Sequence, residues 1–349
     1  MPARSTIAKI PGACEAKMPR EIEPMKGALI DAPFDREGWL FEDKYDGIRA
    51  IAYIQNGKLE ILSRNQKPMT LRYPELKELP KWVKAKEAIL DGEIIVLNES
   101  GNASFQDLQA RFGVTNLDTI KRLSRTQKIV YIAFDLLYLD GFNLMGAKLL
   151  NRKALLQKVA SVHTEFRVAP HVMKEGIKLY RAAERKRLEG IMAKNGSSCY
   201  EGRRSTEWLK IKTVMRQEAV IVGYTMPQGS REYFGALHLG LYQNGKLVSV
   251  GKVGTGFDTK QLKNIYDLMQ PLKVKDPPFG FPALKRNKWE AIRGRNLSEV
   301  QWLKPKLVCE VKFTERTADG SFRHPSFVGL RFDKKAKDCT YEAPIHKTK

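Results

Sequence analysis

Lys44 stands in the run Glu42-Asp43-Lys44-Tyr45-Asp46-Gly47-Ile48-Arg49, which sets a lysine, an acid, a glycine and an arginine at the spacing K-x-D-G-x-R. A lysine amine can attack the α-phosphate of a nucleotide and hold the nucleotide as a phosphoramidate. It must be neutral to do so, and a dry pocket with a neighbouring cation lowers its pKa. Arg49 is the expected source of that cation and a grip for phosphate. Alone, the motif also fits a strand that ends in an Asp46-Gly47 turn and leaves the lysine in solvent.

Five further segments carry the chemistry that a nucleotidyl-lysine needs. Asp91-Gly92-Glu93 lies on a strand that reads as buried, where a carboxylate can accept a ribose hydroxyl or bind a metal. Phe134 follows the apolar run 129–133 and can stack on a purine or fill a core. Glu189 and Lys194 straddle a strand start; the acid suits Mg²⁺ and the lysine suits phosphate. Lys210 and Lys212 fall on one face of a strand, where two ammonium groups repel unless an anion lies between them. Arg331, Asp333 and Lys334 offer a grip for a departing pyrophosphate. Each segment alone has a bland structural explanation. Six matches in this order are far less probable than any one of them.

The elements that must position these residues fall into two textures. Over residues 38–212, short apolar runs alternate with helical stretches. Strands are expected at 38–41, 48–54, 58–63, 88–97 and 128–138, and Asn56-Gly57 marks a hairpin turn. Helices are expected at 73–82, 105–112, 151–159 and 174–187. This predicts an α+β domain of antiparallel sheets and helices. From about Val214 the chain turns β-rich, with runs at 219–224, 236–242, 247–253, 307–313 and near Val328, and one helix at 259–269. Short strands with one helix suit a Greek-key barrel of the OB-fold kind. The expected boundaries are a loose basic arm over 1–22, a first domain over 23–214, and an OB-fold domain with a basic tail over 215–349. Residues 271–282 read as a proline-rich loop, and residues 275–297 as a surface excursion with no assigned role.

The bulk numbers narrow the partner. The chain has 349 residues, 61 lysines and arginines against 39 acids, and a net charge of +22. Such an excess favours a polyanion. No basic amphipathic helix with a strong apolar face stands out, so nucleic acid is preferred to a membrane surface. No segment reaches the roughly 18 apolar residues that span a bilayer, and the N-terminus has no apolar secretion region. The four cysteines lack metal-ligand spacing, which points away from a zinc site and towards a reducing, cytoplasmic compartment.

The ordered set resembles the covalent nucleotidyltransferase superfamily of ATP-dependent DNA ligases, RNA ligases and mRNA-capping enzymes, over residues 24–334. Within it, Pro24-Met25 ahead of Trp39-Leu40-Phe41-Glu42, the run 134–141, Glu189-Gly-Ile-Met-Ala-Lys194 and Arg323-His-Pro…Gly329-Leu-Arg-Phe-Asp-Lys334 look like the ligase domain of bacterial ligase D, the end-joining enzyme. The resemblance implies that Lys44 is the adenylated nucleophile and that Glu42 helps read adenine. Arg49 and Arg64 would contact ribose or phosphate, Glu93 would hold ribose or a metal, and Phe134 would stack on adenine. Glu189 would bind the divalent metal, and Lys210 and Lys212 the α-phosphate. Arg331, Asp333 and Lys334 would swing in from the barrel to orient pyrophosphate. ATP is the implied substrate, with Mg²⁺ or Mn²⁺.

The implied function is sealing of 5′-phosphate/3′-hydroxyl nicks in duplex DNA, in repair or end joining. The expected protein is a minimal, stand-alone monomer, with an end-binding repair protein as a candidate partner. Two departures stand out: Asp43 precedes the lysine where an apolar residue is usual, and Phe332 replaces an acid common in ligase D. Two competitors remain at this stage. An RNA ligase or capping-type enzyme shares the lysine chemistry, and a non-catalytic OB protein would bind nucleic acid without becoming adenylated.

Overall fold

The computed structural model describes residues 2–97, 103, 107–108, 111, 114–186, 188–229, 231–279, 300–314, 316–317 and 320–341. Most of the expected helix at 105–112 and most of the 275–297 excursion lie outside the described residues, as does the tail beyond 341. The chain divides into two units between Thr213 and Val214.

The first unit holds two sheets. One runs in the order β1 (Cys14–Glu15), β8 (Phe142–Asn143), β7 (Lys128–Leu139), β6 (Glu87–Leu97), β4 (Ile48–Gln55), β5 (Lys58–Ser63), with β9 (Phe166–Val168) lying parallel to β7. The other runs β10 (Val172–Met173), β3 (Trp39–Asp43), β11 (Gly190–Asn195), β12 (Arg204–Lys212), β2 (Lys26–Ile30). All pairings are antiparallel except β7 with β9 and β12 with β2. The β4–β5 turn is Asn56-Gly57, both at positive φ, as a two-residue type I′ hairpin requires.

Alternation along the strands builds the core. Leu40 and Trp208 from the second sheet meet Ile51, Ile89, Ile132 and Phe134 from the first, so a shared apolar cluster joins the two sheets. The opposite face of the second sheet carries Phe41, Ile191, Leu209 and Ile211, which pack on Ala183 of the helix Gly176–Arg185. With both faces covered, register is strongly specified: a one-residue slip would drive Lys210 and Lys212 into the apolar layer.

Three expectations are corrected. The arm is not loose over its length: helix Arg4–Ala8 buries Ile7, and Cys14–Glu15 pairs with Phe142–Asn143. Tyr138 donates its hydroxyl to the Ala16 carbonyl at 3.0 Å, which ties the arm further. The helix expected at 73–82 is two 3₁₀ turns, Thr70–Arg72 and Pro74–Glu78, followed by the four-residue helix Leu79–Trp82. Pro74 and Pro80 each remove a backbone donor, and Tyr73, before Pro74, lies outside the α region at φ −127°. The proline-rich loop contains a short strand, β16 (Lys273–Val274), paired with β17 (Val300–Leu303). The strands β2, β8, β9, β10 and β17 and the helix Leu117–Thr126 were not anticipated; Asn116 caps that helix by accepting from the Thr119 N–H.

The second unit winds around β13 (Met215–Thr225). This strand pairs along its length with β18 (Val308–Phe313), β14 (Leu237–Gln243) and β17, with a bulge between Ile221 and Gly223. β15 (Lys246–Val253) extends β14, and β19 (Ser326–Leu330) extends β18. The helix Thr259–Met269 opens on an Asp258/Gln261 capping box and buries Ile265 and Met269 in the barrel core. This is the expected OB-fold architecture.

Candidate active site

The second sheet brings the lysine motif beside two later segments. β11 lies between β3 and β12, so that Met192 opposes Glu42 on one side and Lys210 on the other. One step along, Lys44 donates its backbone N–H to the Gly190 carbonyl at 2.9 Å, and Gly190 opposes Lys212. Lys44 and Lys212 therefore flank one strand, about 10 Å apart across two strand spacings. Gly190 is required for this approach. Its φ is +149°, and an added Cβ would lie 2.1 Å from the Ile211 carbonyl oxygen. Gly47 of the motif has a comparable role: a Cβ there would lie 2.2 Å from the Ile94 carbonyl oxygen.

Lys44 is not held neutral by a neighbouring arginine. Its Nζ lies 2.5 Å from Oε2 of Glu189, with the two side chains 19% and 6% exposed. Burial pulls its pKa down, but the Glu189 carboxylate, helped by Asp46 and Glu93, outweighs burial and holds it above 10.5. The expected cation, Arg49, is committed elsewhere: Nε and Nη2 donate to the two oxygens of Asp91, each at 2.5 Å, and Nη2 also donates to the Met25 carbonyl. Asp91 is fully buried and accepts a third bond from the Tyr200 hydroxyl at 2.7 Å.

Glu93 opposes Arg49 in the β4–β6 register, and Arg64 lies in the turn after β5, one step beyond the Ala50–Ser63 pair. Phe134 is 7% exposed, within the inter-sheet cluster, with the Arg49 guanidinium 4.6 Å and the Lys194 ammonium 4.3 Å from its ring centre. Lys210 and Lys212 are half-buried and share the inner face with Trp208, as alternation demands.

Lys194 does not present its ammonium to a phosphate. It is 2% exposed and donates to Oε2 of Glu42 at 2.6 Å, and it sits over the Trp208 ring at 4.2 Å. Lys153, from the helix Leu149–Val159, donates to the other oxygen of Glu42. Burial raises the Glu42 pKa, and the two ammonium groups more than reverse it, leaving a carboxylate below its ordinary range. Asp43 faces away, on the apolar side of β3; burial raises its pKa despite Lys186.

Lys153, Tyr200, Arg152 and Asp135 were missed. Arg152 and Asp135 form a two-bond pair, each contact 2.8 Å, with both side chains fully buried. A signal existed for two of them. Arg152 and Lys153 share the helical stripe of Leu149 and Leu156, and charges on an apolar stripe need buried partners.

Arg331, Asp333 and Lys334 belong to the second unit, where they form a cluster of their own. Arg331 donates twice to Asp333, each at 2.8 Å, and once to Glu310 at 3.0 Å, and Lys334 pairs with Glu218 at 2.7 Å. Burial lowers the Arg331 pKa but the acids raise it further, and the same pairing lowers that of Asp333 against burial. The described residues contain no group of three or more histidines, cysteines or acids that could hold a metal. Glu189 and Glu93 both act on Lys44, and one or two carboxylates completed by phosphate and water is the usual site for Mg²⁺, so these residues fit that ion.

An α+β domain of two packed sheets followed by an OB barrel is the architecture of a nucleotidyltransferase. Residues 24–212 match the family described as ATP dependent DNA ligase domain, and residues 230–334 match the ATP dependent DNA ligase C terminal region. The chain belongs to the ATP-dependent DNA ligase family. It is 36% identical over 332 residues to the multifunctional non-homologous end joining protein LigD of Pseudomonas aeruginosa, covering 94% of this chain and 37% of that protein. Against the LigD of Mycolicibacterium smegmatis it is 36% identical over 329 residues, covering 93% of this chain and 40% of that protein. The chain thus spans about two-fifths of the length of these curated relatives. Among solved structures, a mycobacterial DNA ligase D complexed with ATP and MES superposes with a TM-score of 0.65 at 30% identity, covering 92% of this chain and 98% of that one.

Proposed function

We propose that this chain seals nicks in duplex DNA with ATP, through a lysine-AMP intermediate. The observation that carries the reading is the strand register that gathers Lys44, Glu189, Lys210 and Lys212 around one strand. In the first step the Lys44 amine forms a bond to the α-phosphorus of ATP and the bond to the pyrophosphate oxygen breaks. The Lys44 ammonium must first lose its proton to solvent, which drawing the Glu189 carboxylate away from it, to a metal, would ease. Lys210 and Lys212 neutralise the charge on the α-phosphate. In the second step the 5′-phosphate of the nick attacks the same phosphorus and the lysine leaves. In the third the 3′-hydroxyl attacks the activated 5′-phosphate, and AMP departs.

Glu189 and Glu93 are the proposed holders of a divalent metal, Mg²⁺ or Mn²⁺, which when bound supplies electrostatic neutralisation of the phosphates. Glu42 and Phe134 are proposed for adenine, and Arg49, Arg64 and Glu93 for ribose or phosphate. Arg331, Asp333 and Lys334 are proposed for pyrophosphate. The family match and the ATP bound by the mycobacterial relative support ATP as substrate. The names of the LigD relatives support a place in end-joining repair. A cytoplasmic location and an end-binding protein as partner are proposed with it. No helix among the described residues is long and apolar enough to cross a membrane. The test is sealing of a nicked duplex against a nicked RNA duplex, with ATP or GTP. Sealing of DNA with ATP supports the reading. Sealing of RNA alone, or use of GTP alone, overturns it.

A further inference from the structure

We propose that Lys153 and Lys194 are nucleobase-positioning residues: together they hold the Glu42 carboxylate in one orientation, as an ionised acceptor for the 6-amino group of a purine. This rests on the reading of Glu42 as the residue that meets the base.

The two oxygens of Glu42 are held from two different elements. Lys194 reaches Oε2 from β11 at 2.6 Å, and Lys153 reaches Oε1 from the helix Leu149–Val159. The three side chains are each no more than 2% exposed. Lys153 is itself fixed by the carbonyls of Phe134, at 3.5 Å, and Ala169, at 3.4 Å. Lys194 is fixed by the Phe134 and Trp208 rings, 4.3 and 4.2 Å from its nitrogen. A single carboxylate faces two ammonium groups, which exceeds what an ion pair needs for neutrality. Burial and the Lys153 ammonium lower the Lys194 pKa against the pull of Glu42 and, more weakly, of Asp135, and the other buried acids are already paired, Asp135 with Arg152 and Asp91 with Arg49.

The excess has a chemical consequence. A carboxylate in a dry site readily takes a proton, and the protonated form would donate as well as accept. Two ammonium groups remove that option, and each carboxylate oxygen retains a lone pair for one further donor. Adenine offers such a donor in its 6-amino group. Guanine presents a carbonyl oxygen at that position, which a fixed carboxylate repels. Discrimination of this kind is strong because the mismatched base leaves buried polar groups unpaired. Lys153 and Lys194 thus act through Glu42.

The test uses the full chain and follows single-turnover self-adenylation with ATP, with purine riboside triphosphate, which lacks the 6-amino group, and with GTP. Wild type is expected to favour ATP over the purine analogue at least tenfold. Lys153→Met and Lys194→Met are expected to cut that preference at least fivefold, through KM for ATP, with little change for the analogue. Lys153→Arg is expected to restore part of it. Loss of both substrates in parallel would show a structural role and overturn the proposal. Should a methionine variant not fold, Lys153→Gln and Lys194→Gln, which keep volume and a neutral donor, are judged by the same preference. Glu42→Gln separates the two readings. If it keeps the full preference, Glu42 does not read the base. If it loses the preference while the lysine variants keep it, Glu42 reads the base without the lysines.

Discussion

Lys44 Nζ and Glu189 Oε2 are 2.5 Å apart, and the two residues meet across the β3–β11 pairing although 145 positions separate them in the chain. The proposed nucleophile and the proposed metal ligand are therefore one ion pair. Glu189 cannot give its charge fully to both a lysine ammonium and a divalent cation. Recruiting it to a metal would weaken the interaction that keeps Lys44 protonated, so metal binding and activation of the amine would be coupled.

That coupling sets a pH expectation. In the folded protein the Lys44 pKa is raised above 10.5. A group raised on folding stabilises the fold at pH below its unfolded value, and the contribution is lost as pH rises through the higher folded value. The pair should thus contribute constantly from neutral pH to about pH 10 and fade only in strong alkali. In Glu189→Gln the Lys44 pKa should fall relative to wild type, read by NMR of ¹³C-labelled lysine in the nucleotide-free protein. Self-adenylation of that variant should still drop on the order of 100-fold or more, because an electrostatic stabiliser is gone. An unchanged lysine pKa would contradict the ion pair.

Arg152→Met should cost about 3–5 kcal/mol of folding stability, because it strands the Asp135 carboxylate in a site where both side chains are fully buried. Denaturant unfolding measures this. A loss below about 1 kcal/mol would show that Asp135 finds water or another donor.

Gly190→Ala should cost roughly 2–4 kcal/mol, from the positive φ together with the clash against the Ile211 carbonyl. The clash lies between β11 and β12, so the spacing of Lys44 from Lys212 should be disturbed as well. Adenylation should fall more steeply than the melting temperature alone implies. A variant with wild-type stability would contradict the close approach.

The parts legible in the sequence were those encoded locally. The β4–β5 hairpin followed from Asn56-Gly57 and flanking alternation, and the helix at 259–269 from its period. The chemistry-bearing segments were legible because residue type and spacing within a few positions carry the signal. What failed depended on distant partners. The strand Lys26–Ile30 is too short to declare itself and is set by parallel pairing to β12. The clamp on Glu42 draws lysines from 111 and 152 positions away, so no window around Lys44 contains it. Arg49 was expected to face phosphate because its buried partner, Asp91, lies 42 residues on.

Binding to duplex DNA should be salt-sensitive and nearly indifferent to sequence, given the net charge of +22. If about five phosphates are neutralised, the logarithm of the association constant should fall with the logarithm of salt concentration at a slope of roughly −4 to −5. A slope near zero, measured by fluorescence anisotropy on a nicked duplex, would mean that the charge excess has no part in binding.

The most direct test of the central claim is incubation with α-labelled ATP or α-labelled GTP and Mg²⁺, followed by denaturing electrophoresis, for wild type and Lys44→Ala. Label from ATP that survives denaturation, is absent with GTP and is lost in the variant is the predicted result. No label on enzyme first stripped of bound adenylate, or label that persists in Lys44→Ala, would contradict Lys44 as the nucleophile.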